Sequence, residues 1–365
     1  MSILFIGKRF YTNRDALRER FGRIYQLPLH WSDLGRDISL WLLDYHSRER
    51  VDDRIDNIRI HSMPVRRLQG LLDLAKGVLS SPTADVVVAS GDAYIGMLGY
   101  VIARRRRAKF VFDVYDKYDE FGGYVRPLGF DLFGFLLSRA DLCLFASAGL
   151  RDRMQTLCKR TALVPNGIDM EQFRPRPMHQ ARAELGLDTD RRYVGYFGSM
   201  EADRGIEDLL QALILLRKVD PRIHLLIGGR RPAELDLDAP GVEYMGNLAF
   251  EKVAPALASC DVIAIPYRRS AFMDAGASNK IAEALSVGRP VATTETPNFL
   301  ANFPEQARAL GPALAKCNDP ESLAQAIKSQ LDRPILLAPP VGFSWPDIAG
   351  RLLDELDVKA VAPSQ

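Results

Sequence analysis

The sequence predicts two α/β domains of the doubly wound, Rossmann-like kind. Short apolar runs alternate with longer amphipathic segments, as strands and helices do around a parallel sheet. A proline-rich segment interrupts this alternation near the middle of the chain, and the alternation then starts again. A length of 365 residues suits two domains. We therefore expect a first domain at 1–164, a linker at 165–190, a second domain at 191–340 and a last helix within 341–365.

In the first domain, strands are predicted where short apolar runs are uninterrupted, because a strand covered on both faces is apolar throughout. These runs are Ile3–Ile6, Ile38–Leu43, Ile58–His61, Val86–Ala89, Lys109–Val114, Leu142–Phe145 and Ala162–Val164. The segments between them that have helical character include Thr12–Phe21, Val65–Leu79, Ala93–Arg104 and Leu128–Arg139.

The linker is predicted from three prolines and an Asn-Gly pair between Val164 and Pro177, which no regular element tolerates. After it, strands are predicted at Tyr193–Phe197, His224–Ile227, Val242–Met245, Val262–Ile265 and Pro290–Thr293. The helices predicted with them are Gly205–Val219, Leu248–Ser259, Asn279–Val287, Pro320–Leu331 and a last one near Trp345–Leu356.

Composition excludes several classes of protein. A net charge of +2 from 48 basic and 46 acidic residues argues against a dedicated nucleic-acid binder. No run of eighteen apolar residues indicates a membrane span, and the six apolar or small residues at the N-terminus are too few for a signal peptide. The four cysteines are far apart and the five histidines lack metal-ligand spacing, so we expect no disulfide framework and no structural metal site. We expect a cytoplasmic protein.

Function should lie just after the predicted strands, since open α/β sheets bind ligands at the carboxyl ends of their strands. In the second domain, Gly198 and Arg204 follow one strand and Gly229 follows the next, each with basic residues nearby. Glycine loops, helix amides and a guanidinium suit a phosphate group. For one such loop alone, a turn glycine with a solvated arginine is an equally good interpretation.

A third loop leads into the helix predicted at Asn279, where Ser278 and Asn279 can cap the first turn. Lys280 and Glu283 are three residues apart and therefore share one face of that helix. The lysine suits a pyrophosphate, and the glutamate suits ribose hydroxyls. The alternative is an ordinary surface Lys–Glu pair. Three such loops in one domain favour nucleotide binding.

Three motifs then carry a resemblance, and they come in a fixed order: Val164-Pro-Asn-Gly-Ile-Asp, Gly198 with Arg204-Gly205, and Glu283-Ala-Leu-Ser-Val-Gly-Arg-Pro-Val. Together they resemble GT-B glycosyltransferases of the family-four kind. The segment Phe343–Ala349 resembles the start of that family's final helix, which returns to the N-terminal domain. The resemblance implies two Rossmann-like domains with a donor and acceptor cleft between them, and it covers the chain from about Val164 onward.

The resemblance also implies roles for single residues. Gly198 and Arg204 would approach the diphosphate of a nucleotide sugar, with Arg204 in the place of the usual lysine. Asn247 and Tyr267 would lie by the base or the sugar, and Glu283 would bind the ribose. UDP is the expected nucleotide by family habit alone.

The chain departs from the family pattern at two positions. Ser199 stands where an arginine is usual, and Ala275 stands where a glutamate is usual. The motif Ser278-x-Lys280-x-x-Glu283 instead resembles relatives such as the glucuronosyltransferase of xanthan assembly, in which a lysine lies near the diphosphate. Lys280 would then supply the charge that Ser199 lacks. The missing glutamate leaves open whether the anomeric configuration is retained or inverted.

The first domain is expected to bind the acceptor and to supply any catalytic base. Carboxylates and tyrosines alternate after the strand Lys109–Val114, and a carboxylate there could take the proton of an acceptor hydroxyl. Asp116 is the first candidate and Asp113 the second, in a group whose other members are Tyr115, Tyr118, Asp119 and Tyr124. The alternative is that they solvate a loop or cap a helix. Tyr115 is also an acceptor-binding candidate, as are Gly7, Lys8 and Asp92 at the ends of two other strands.

Four arginines, Arg104–Arg107, end a predicted helix, and the more common role of such residues is to interact with the helix dipole. With Lys8, Arg9, Arg66, Arg67 and the apolar segment Leu128–Leu137, they could instead hold the first domain on anionic lipid, as a lipid-linked acceptor would require.

The sequence therefore favours a transferase that moves a hexosyl residue from a nucleotide sugar to a saccharide or a lipid-linked saccharide. Polysaccharide or glycoconjugate synthesis of the bacterial type is the expected setting. Helix amides, Arg204 and Lys280 could neutralise the leaving diphosphate, so neither a metal nor a further cofactor is expected. Ser199 and Ala275 motivate one alternative, a catalytically silent subunit that binds or activates a partner. An NAD-dependent dehydrogenase is disfavoured because no G-x-G-x-x-G follows the first strand.

Overall fold

The computed structural model describes residues 1–11, 14–47, 49–65, 68–116 and 129–357, without the side chains of 68–73. The chain divides into two compact units. Unit 1 comprises Met1–Gly167 together with Phe343–Gln365, and unit 2 comprises Ile168–Gly342. The chain therefore leaves unit 1 once and returns to it at its C-terminal end.

Unit 1 is built on an eight-stranded sheet in the order β10-β9-β8-β7-β1-β4-β6-β5. All neighbours in this sheet are parallel except the edge strand β5, which is antiparallel to β6. The strands are β1 (Ser2–Lys8), β4 (Asp37–Asp44), β5 (Val51–Ile55), β6 (Ile58–Pro64), β7 (Val86–Ser90), β8 (Lys109–Val114), β9 (Leu142–Phe145) and β10 (Thr161–Leu163). A short hairpin, β2 (Phe10–Tyr11) with β3 (Arg14–Asp15), follows β1.

Helices cover both faces of this sheet, and each face has its own apolar core. They are α1 (Gly22–Asp33), α2 (Leu68–Ser80), α3 (Ala93–Arg106), α4 (Leu132–Arg139), α5 (Ala148–Met154) and the C-terminal helix α14 (Trp345–Asp357). Helix α14 packs on α1, and the indole N–H of Trp31 donates to the carbonyl oxygen of Ala349 at 3.0 Å. Gly167 lies against Trp345 so closely that a Cβ atom would overlap the indole. The Asn-Gly pair of the linker therefore fits the place where the chain passes α14.

Unit 2 has a five-stranded sheet, and its strands all run parallel in the order β13-β12-β11-β14-β15. The strands are β11 (Arg192–Phe197), β12 (Ile223–Gly228), β13 (Val242–Tyr244), β14 (Val262–Ile265) and β15 (Val291–Thr293). This is the doubly wound arrangement that the apolar runs predict.

The helices of unit 2 are α6 (Met178–Leu185), α7 (Ile206–Val219), α8 (Phe250–Ala258), α9 (Ala271–Ala275), α10 (Asn279–Ser286), α11 (Pro297–Asn302), α12 (Pro304–Leu310) and α13 (Pro320–Asp332). Helix α7 shows why such segments are helical. It has two acidic residues in its first turn and two basic residues in its last, which complement the helix dipole. Its apolar face is buried.

Two sequence predictions about elements are wrong. The helix predicted at Thr12–Phe21 is absent; the described part of that segment forms β3 and turns, and the helix begins at Gly22. Part of the predicted linker 165–190 is helix α6, whose Arg182 is buried and bonds Asp261 at 2.7 Å. The helix predicted from Leu128 has its first described turn at Leu132, capped by Asp131, and Leu128 itself lies outside the described residues.

In the parts of the chain that the structure describes, no helix is both long enough and apolar enough to cross a bilayer.

Candidate functional site

The strand order of unit 2 reverses between β11 and β14, which makes their carboxyl ends the topological switch point of the sheet. Ligands of open α/β sheets bind at such points because the loops on the two sides diverge there. Gly198 directly follows β11, and Tyr267 comes two residues after β14. The sequence-predicted donor residues of these two loops are thus brought together by the fold.

Lys280 lies over the backbone of Gly198. A Cβ atom at Gly198 would overlap the Lys280 side chain, so only glycine leaves the lysine this space. Lys280 has neither a hydrogen bond nor an ion pair with any described residue. The surface Lys280–Glu283 ion pair that the sequence allows does not form. Its ammonium group is therefore a charge without a protein partner in the described structure.

Helix α10 begins beside this lysine without a side-chain cap. Its N-cap residue is Ser278, whose hydroxyl makes a 2.9 Å hydrogen bond with the hydroxyl of Tyr267 instead of accepting from the helix. The amide group of Ser278 donates to the Oδ1 atom of Asn298 at 3.4 Å. Asn279 is the first residue of the helix. The first amides of α10 are therefore left for another acceptor, and a helix N-terminus favours an anion.

Glu283 follows Lys280 by one turn and is half-buried. Burial raises the pKa of its carboxyl group, and the charge of Lys280 acts in the opposite direction. No hydrogen bond or ion pair to a described residue occupies the carboxylate. Together with Tyr196 and Tyr267, Lys280 and Glu283 line a cavity of about 10 Å³, roughly the space of one water molecule.

Arg204 is held against the same cavity wall. Its guanidinium carbon lies 5.2 Å from the centre of the Tyr267 ring, and its Nη1 atom lies 2.8 Å from the Sδ atom of Met273. The next residue, Gly205, has φ +69°, and a Cβ atom there would overlap the carbonyl oxygen of Pro266. Glycine at 205 thus lets the Arg204 loop lie against the loop after β14.

The remaining donor candidates differ in how they are placed. Gly229 lies against the carbonyl of Gly198, so the loops after β11 and β12 touch. The backbone carbonyl of Ser199 accepts a 2.6 Å hydrogen bond from Tyr196, and its hydroxyl, with Arg230, helps to lower the pKa of Glu201 against the effect of burial. Asn247 is exposed just beyond β13. Ser199 therefore has a role within its own loop.

Sequence reasoning missed two residues that shape this site. Tyr196 is buried inside β11, and Asn298 fixes the loop before α10 through bonds to Ser278 and to the carbonyl of Met273 at 2.9 Å. Neither lies in a glycine loop or beside a basic residue, so no local pattern marks them. Arg268, in contrast, is held by a bidentate bond to Asp208, at 2.7 and 2.8 Å, and serves the loop itself.

In unit 1 the strand order reverses between β1 and β7. Lys8, at the end of β1, makes a 2.6 Å ion pair with Asp92, which follows β7. Asp92 also caps α3, accepting from the amides of Tyr94 and Ile95 at 2.9 and 3.1 Å. The structure thus brings Lys8 and Asp92 together. The prediction that Gly7 binds the acceptor is corrected. Gly7 is buried inside β1, where a Cβ atom would lie 3.0 Å from Ile24, so it is a packing residue.

The prediction of Asp113 as a second candidate base is also corrected. Asp113 is completely buried and bonds Arg23 twice, at 2.8 and 3.0 Å, while Ser90 donates to it at 2.6 Å. Burial is the largest influence on the pKa of Asp113 and raises it, with Arg23 and Ser90 opposing. Arg23 also donates to Asn166 at 3.0 Å. A carboxylate so enclosed holds the fold and is not placed to take a proton from a substrate.

Asp116 stays the candidate base. It lies two residues beyond β8 and is half-buried. The neighbouring Tyr115 ring is 5.6 Å from the Arg23 guanidinium carbon and 6.0 Å from the ring of Tyr11. The other members of the predicted group, Tyr118, Asp119 and Tyr124, lie outside the described residues.

The predicted lipid-facing cations are only partly available. Arg9 is buried in a network with Asp15 at 3.0 Å, Asp44 at 3.3 Å and Glu49 at 3.1 Å, so its assignment to a lipid surface is wrong. Arg106 bonds Ser81 at 2.9 Å beyond the end of α2. Arg66 and Arg67 lie outside the described residues.

Comparison with known proteins gives the chain its relatives. Residues 191–333 match the family model described as Glycosyl transferases group 1. A D-inositol 3-phosphate glycosyltransferase of Corynebacterium urealyticum is 27% identical over 222 residues, covering 53% of this chain and 50% of that protein. The putative teichuronic acid biosynthesis glycosyltransferase TuaC of Bacillus subtilis is 24% identical over 199 residues, covering 51% and 49%. The chain spans about half, or less, of the length of the curated relatives it matches.

Solved structures resemble the fold over nearly the whole chain. Sucrose-phosphate synthase from Thermosynechococcus elongatus superposes with a TM-score of 0.71 at 16% identity, covering 97% of this chain and 98% of the other. HepE from Anabaena, solved with UDP and glucose, gives a TM-score of 0.64 at 16% identity, covering 98% and 99%. The fold class predicted from the sequence, an α/β fold of the GT-B kind, is thereby confirmed, and residues 191–333 are similar to the Glycosyl transferases group 1 family.

Proposed function

We propose that this protein is a glycosyltransferase that moves a sugar from a nucleoside diphosphate to a hydroxyl group of a saccharide. The observation that carries the proposal is Lys280, an unpartnered cation lying over Gly198 at the switch point of unit 2. The match of this unit to a glycosyltransferase family supports the same assignment.

In the proposed reaction, the bond between the anomeric carbon and the β-phosphate oxygen breaks, and the nucleoside diphosphate leaves with both electrons. The leaving group gains negative charge, so fixed positive groups beside it stabilise the transition state. The groups available are Lys280 and the first amides of α10. Arg204, whose guanidinium lies near the Tyr267 ring, is a third. They would serve without a metal or a further cofactor, and Lys280 would take the place of the cation that Ser199 lacks.

Glu283 would hold the ribose of the donor. Its carboxylate is partly accessible, has no described partner, and can accept hydrogen bonds from two vicinal hydroxyls. We propose UDP as the nucleotide, because the structurally similar HepE was solved with UDP and glucose. Asn247, Tyr267 and Gly229 would border the base and the sugar.

The acceptor would bind at unit 1, with Lys8, Asp92 and Tyr115 near its hydroxyl groups. Asp116 would take the proton of the attacking hydroxyl if the reaction inverts the anomeric centre. The names of the curated relatives, which include a teichuronic acid biosynthesis glycosyltransferase, support an acceptor in bacterial glycoconjugate or polysaccharide synthesis.

If the acceptor is lipid-linked, we propose that unit 1 contacts the membrane through α3. Tyr94, Met97 and Val101 are exposed by 48%, 37% and 40%, and their spacing places them on one face of the helix. Arg104 and Arg105 continue this face and are exposed. Such a face suits an anionic lipid surface. Membrane contact is tested by sedimenting vesicles, with and without an anionic lipid, together with the wild-type protein or an Arg104→Gln/Arg105→Gln variant. Equal sedimentation of the two proteins would refute it.

The donor assignment is tested by a thermal-shift panel with UDP, GDP, ADP and NAD, with and without EDTA. A ligand at a hundred times its dissociation constant stabilises the folded state by about 2.7 kcal/mol. We expect stabilisation by UDP, unchanged by EDTA and lost in Glu283→Ala. If no nucleoside diphosphate stabilises the protein, the donor site is refuted.

The alternative of a catalytically silent subunit predicts a different outcome. It would bind UDP normally yet transfer no sugar when UDP-sugars and candidate acceptors are supplied and UDP release is followed. Release of UDP that depends on an acceptor, and that falls in Asp116→Asn, would establish the enzyme and its base together.

A further inference from the structure

A second concave surface lies in unit 1, away from the strand ends described above. A cavity of about 420 Å³ is bounded by β4, β6, Arg50 just before the edge strand β5, and the end of α2. Its sheet residues come from β4 and β6, and neither Lys8 nor Asp92 is among the residues that line it. The cavity is therefore separate from the candidate acceptor site.

The floor of this cavity is apolar and aromatic. Strand register places Trp41 beside His61 and Ser39 beside Arg59 on one face of the sheet. Trp41 is 6% exposed and Met63 is 3% exposed. Helix α2 packs beside this floor at Gly77, where a Cβ atom would be in ordinary van der Waals contact with the Trp41 ring at 3.6 Å. The floor can therefore cover the uncharged body of a small molecule.

The rim of the cavity is basic. Arg50 and Arg59 have acidic partners, Asp52 at 2.7 Å and Asp37 at 2.8 Å. Lys76 on α2 is exposed and forms no ion pair with a described residue.

A fourth cation, Arg54, is not itself a lining residue but lies directly opposite the lining residue Arg59 in the antiparallel ladder of β5 and β6. Like charges in this position destabilise a sheet. Arg54, like Lys76, forms no ion pair with a described residue. Among the described residues, Asp37 pairs with Arg59, and Asp52 pairs with Arg50 and also contacts His61. Arg54 and Lys76 are then two described cations that an anionic ligand would neutralise.

We propose that this cavity binds a sugar phosphate. A phosphate monoester carries about −1.5 to −2 charges at pH 7, which matches the two unneutralised cations. Arginine and lysine are the side chains that recognise phosphate, by forked hydrogen bonds and as a point charge respectively. A volume of about 420 Å³ lies within the range of roughly 300–1,000 Å³ for small-molecule sites and exceeds what a phosphate ion alone would fill. The uncharged sugar would rest on Trp41 and Met63.

The test is a calorimetric titration of the full chain with glucose 6-phosphate as the probe. The informative variant is Arg54→Gln/Lys76→Gln, because both side chains are exposed and neither loses an ion pair that would hold the fold. Arg153→Gln is the matched control, an exposed arginine on α5 of the same unit. We expect the dissociation constant to rise at least tenfold in the double variant and to stay unchanged in the control.

Two further arms separate this site from others. Lys280→Ala removes the cation of the donor site in unit 2, and binding should persist in it; loss of binding there would overturn the proposal. Equal affinity of the double variant and the Arg153→Gln control would also overturn it. Glucose should not bind. Inorganic phosphate should bind more weakly than the sugar phosphate, and equal affinity would overturn the assignment of a sugar body.

Discussion

Charged side chains gather at the strand ends of both sheets, but the two units use them differently. In unit 1 these side chains bind one another. Arg23 pairs with Asp113 and donates to Asn166, and Lys8 pairs with Asp92. In unit 2, Lys280 and Glu283 share one helical face, yet neither has an ion-pair partner in the described structure. The same fold thus supports a closed network in one unit and an open one in the other.

The glycines account for much of this difference. In unit 2, Gly198 and Gly205 bring loops so close that a β-carbon would overlap the Lys280 side chain at the first position and the carbonyl oxygen of Pro266 at the second. In unit 1 the arginine enters from α1 and reaches across the sheet edge to Asp113. Ion pairs within the protein stabilise the fold, whereas charged side chains without a described ion-pair partner can bind a ligand. Each variant below changes one side of this comparison.

The largest effect is expected from Asp113→Asn, which leaves the buried Arg23 without a carboxylate. Breaking a buried ion pair in this way costs about 3–5 kcal/mol. Trp31, Trp41 and Trp345 all belong to unit 1, so their fluorescence during urea unfolding reports on this unit. The control is Asp152→Asn, whose exposed pair with Arg151 should contribute less than about 1 kcal/mol. Similar losses of unfolding free energy in the two variants would show that the Arg23–Asp113 pair contributes no more than an exposed pair.

The next effect is expected from Gly205→Ala, compared with Gly186→Ala. Both glycines have nearly the same φ, +69° and +67°, but only Gly205 has a backbone carbonyl where the new methyl group would go. Left-handed backbone costs alanine about 1–2 kcal/mol at both positions. The overlap with Pro266 adds about 1–3 kcal/mol at 205 alone. Calorimetric unfolding measures both, and equal destabilisation would contradict the tight loop contact.

A smaller effect, on binding alone, is expected from Lys280→Ala. Losing one charged contact to a diphosphate costs about 1.5–3 kcal/mol, or roughly 10- to 150-fold in the dissociation constant of UDP. Stability should hardly change, because the lysine has no described partner to abandon. Titration calorimetry with UDP measures this, with the exposed Lys218→Ala as control. A large loss of stability with unchanged UDP affinity would place Lys280 in the fold instead of the site.

The smallest effect is the pH dependence of Glu283→Gln. Because folding raises the pKa of Glu283, the folded chain binds its proton more tightly, and folding stability falls as the pH rises through the ordinary value of 4.5. Glutamine cannot titrate. The stability of the variant relative to wild type should therefore increase with pH above 4.5, as followed by calorimetry. A difference that is constant with pH would mean that Glu283 is not desolvated on folding.

Much of the fold could be predicted because the local pattern reports burial. The strand Val86–Ala89, apolar throughout, is observed as Val86–Ser90, and the helix predicted to begin at Gly205 begins at Ile206. The helix at Thr12–Phe21 failed because its charged residues have helical spacing, while the real helix α1 contains Pro28, which disfavours a helix in any local analysis. Packing against α14 and β1 overrides that preference.

The candidate site was harder to predict where it depends on distant partners. Glycine loops and the Lys280–Glu283 spacing are local and visible in the sequence. The bond of Arg23 to Asp113 joins residues 90 positions apart, so nothing near Asp113 distinguishes it from Asp116 as a base. Burial separates the two carboxylates: one is enclosed, and the other is half-exposed.

The division of unit 1 into two chain segments has a consequence for synthesis on the ribosome. The apolar side chains of α14, among them Ile348, Leu352 and Leu356, complete the core around Trp31, yet they are translated only after the whole of unit 2. Domains generally fold as units while the chain emerges. Unit 2, which is continuous, can finish folding on the growing chain, whereas unit 1 must wait with an exposed apolar face on α1. Unit 1 therefore completes its core after unit 2, although its larger segment is made before unit 2.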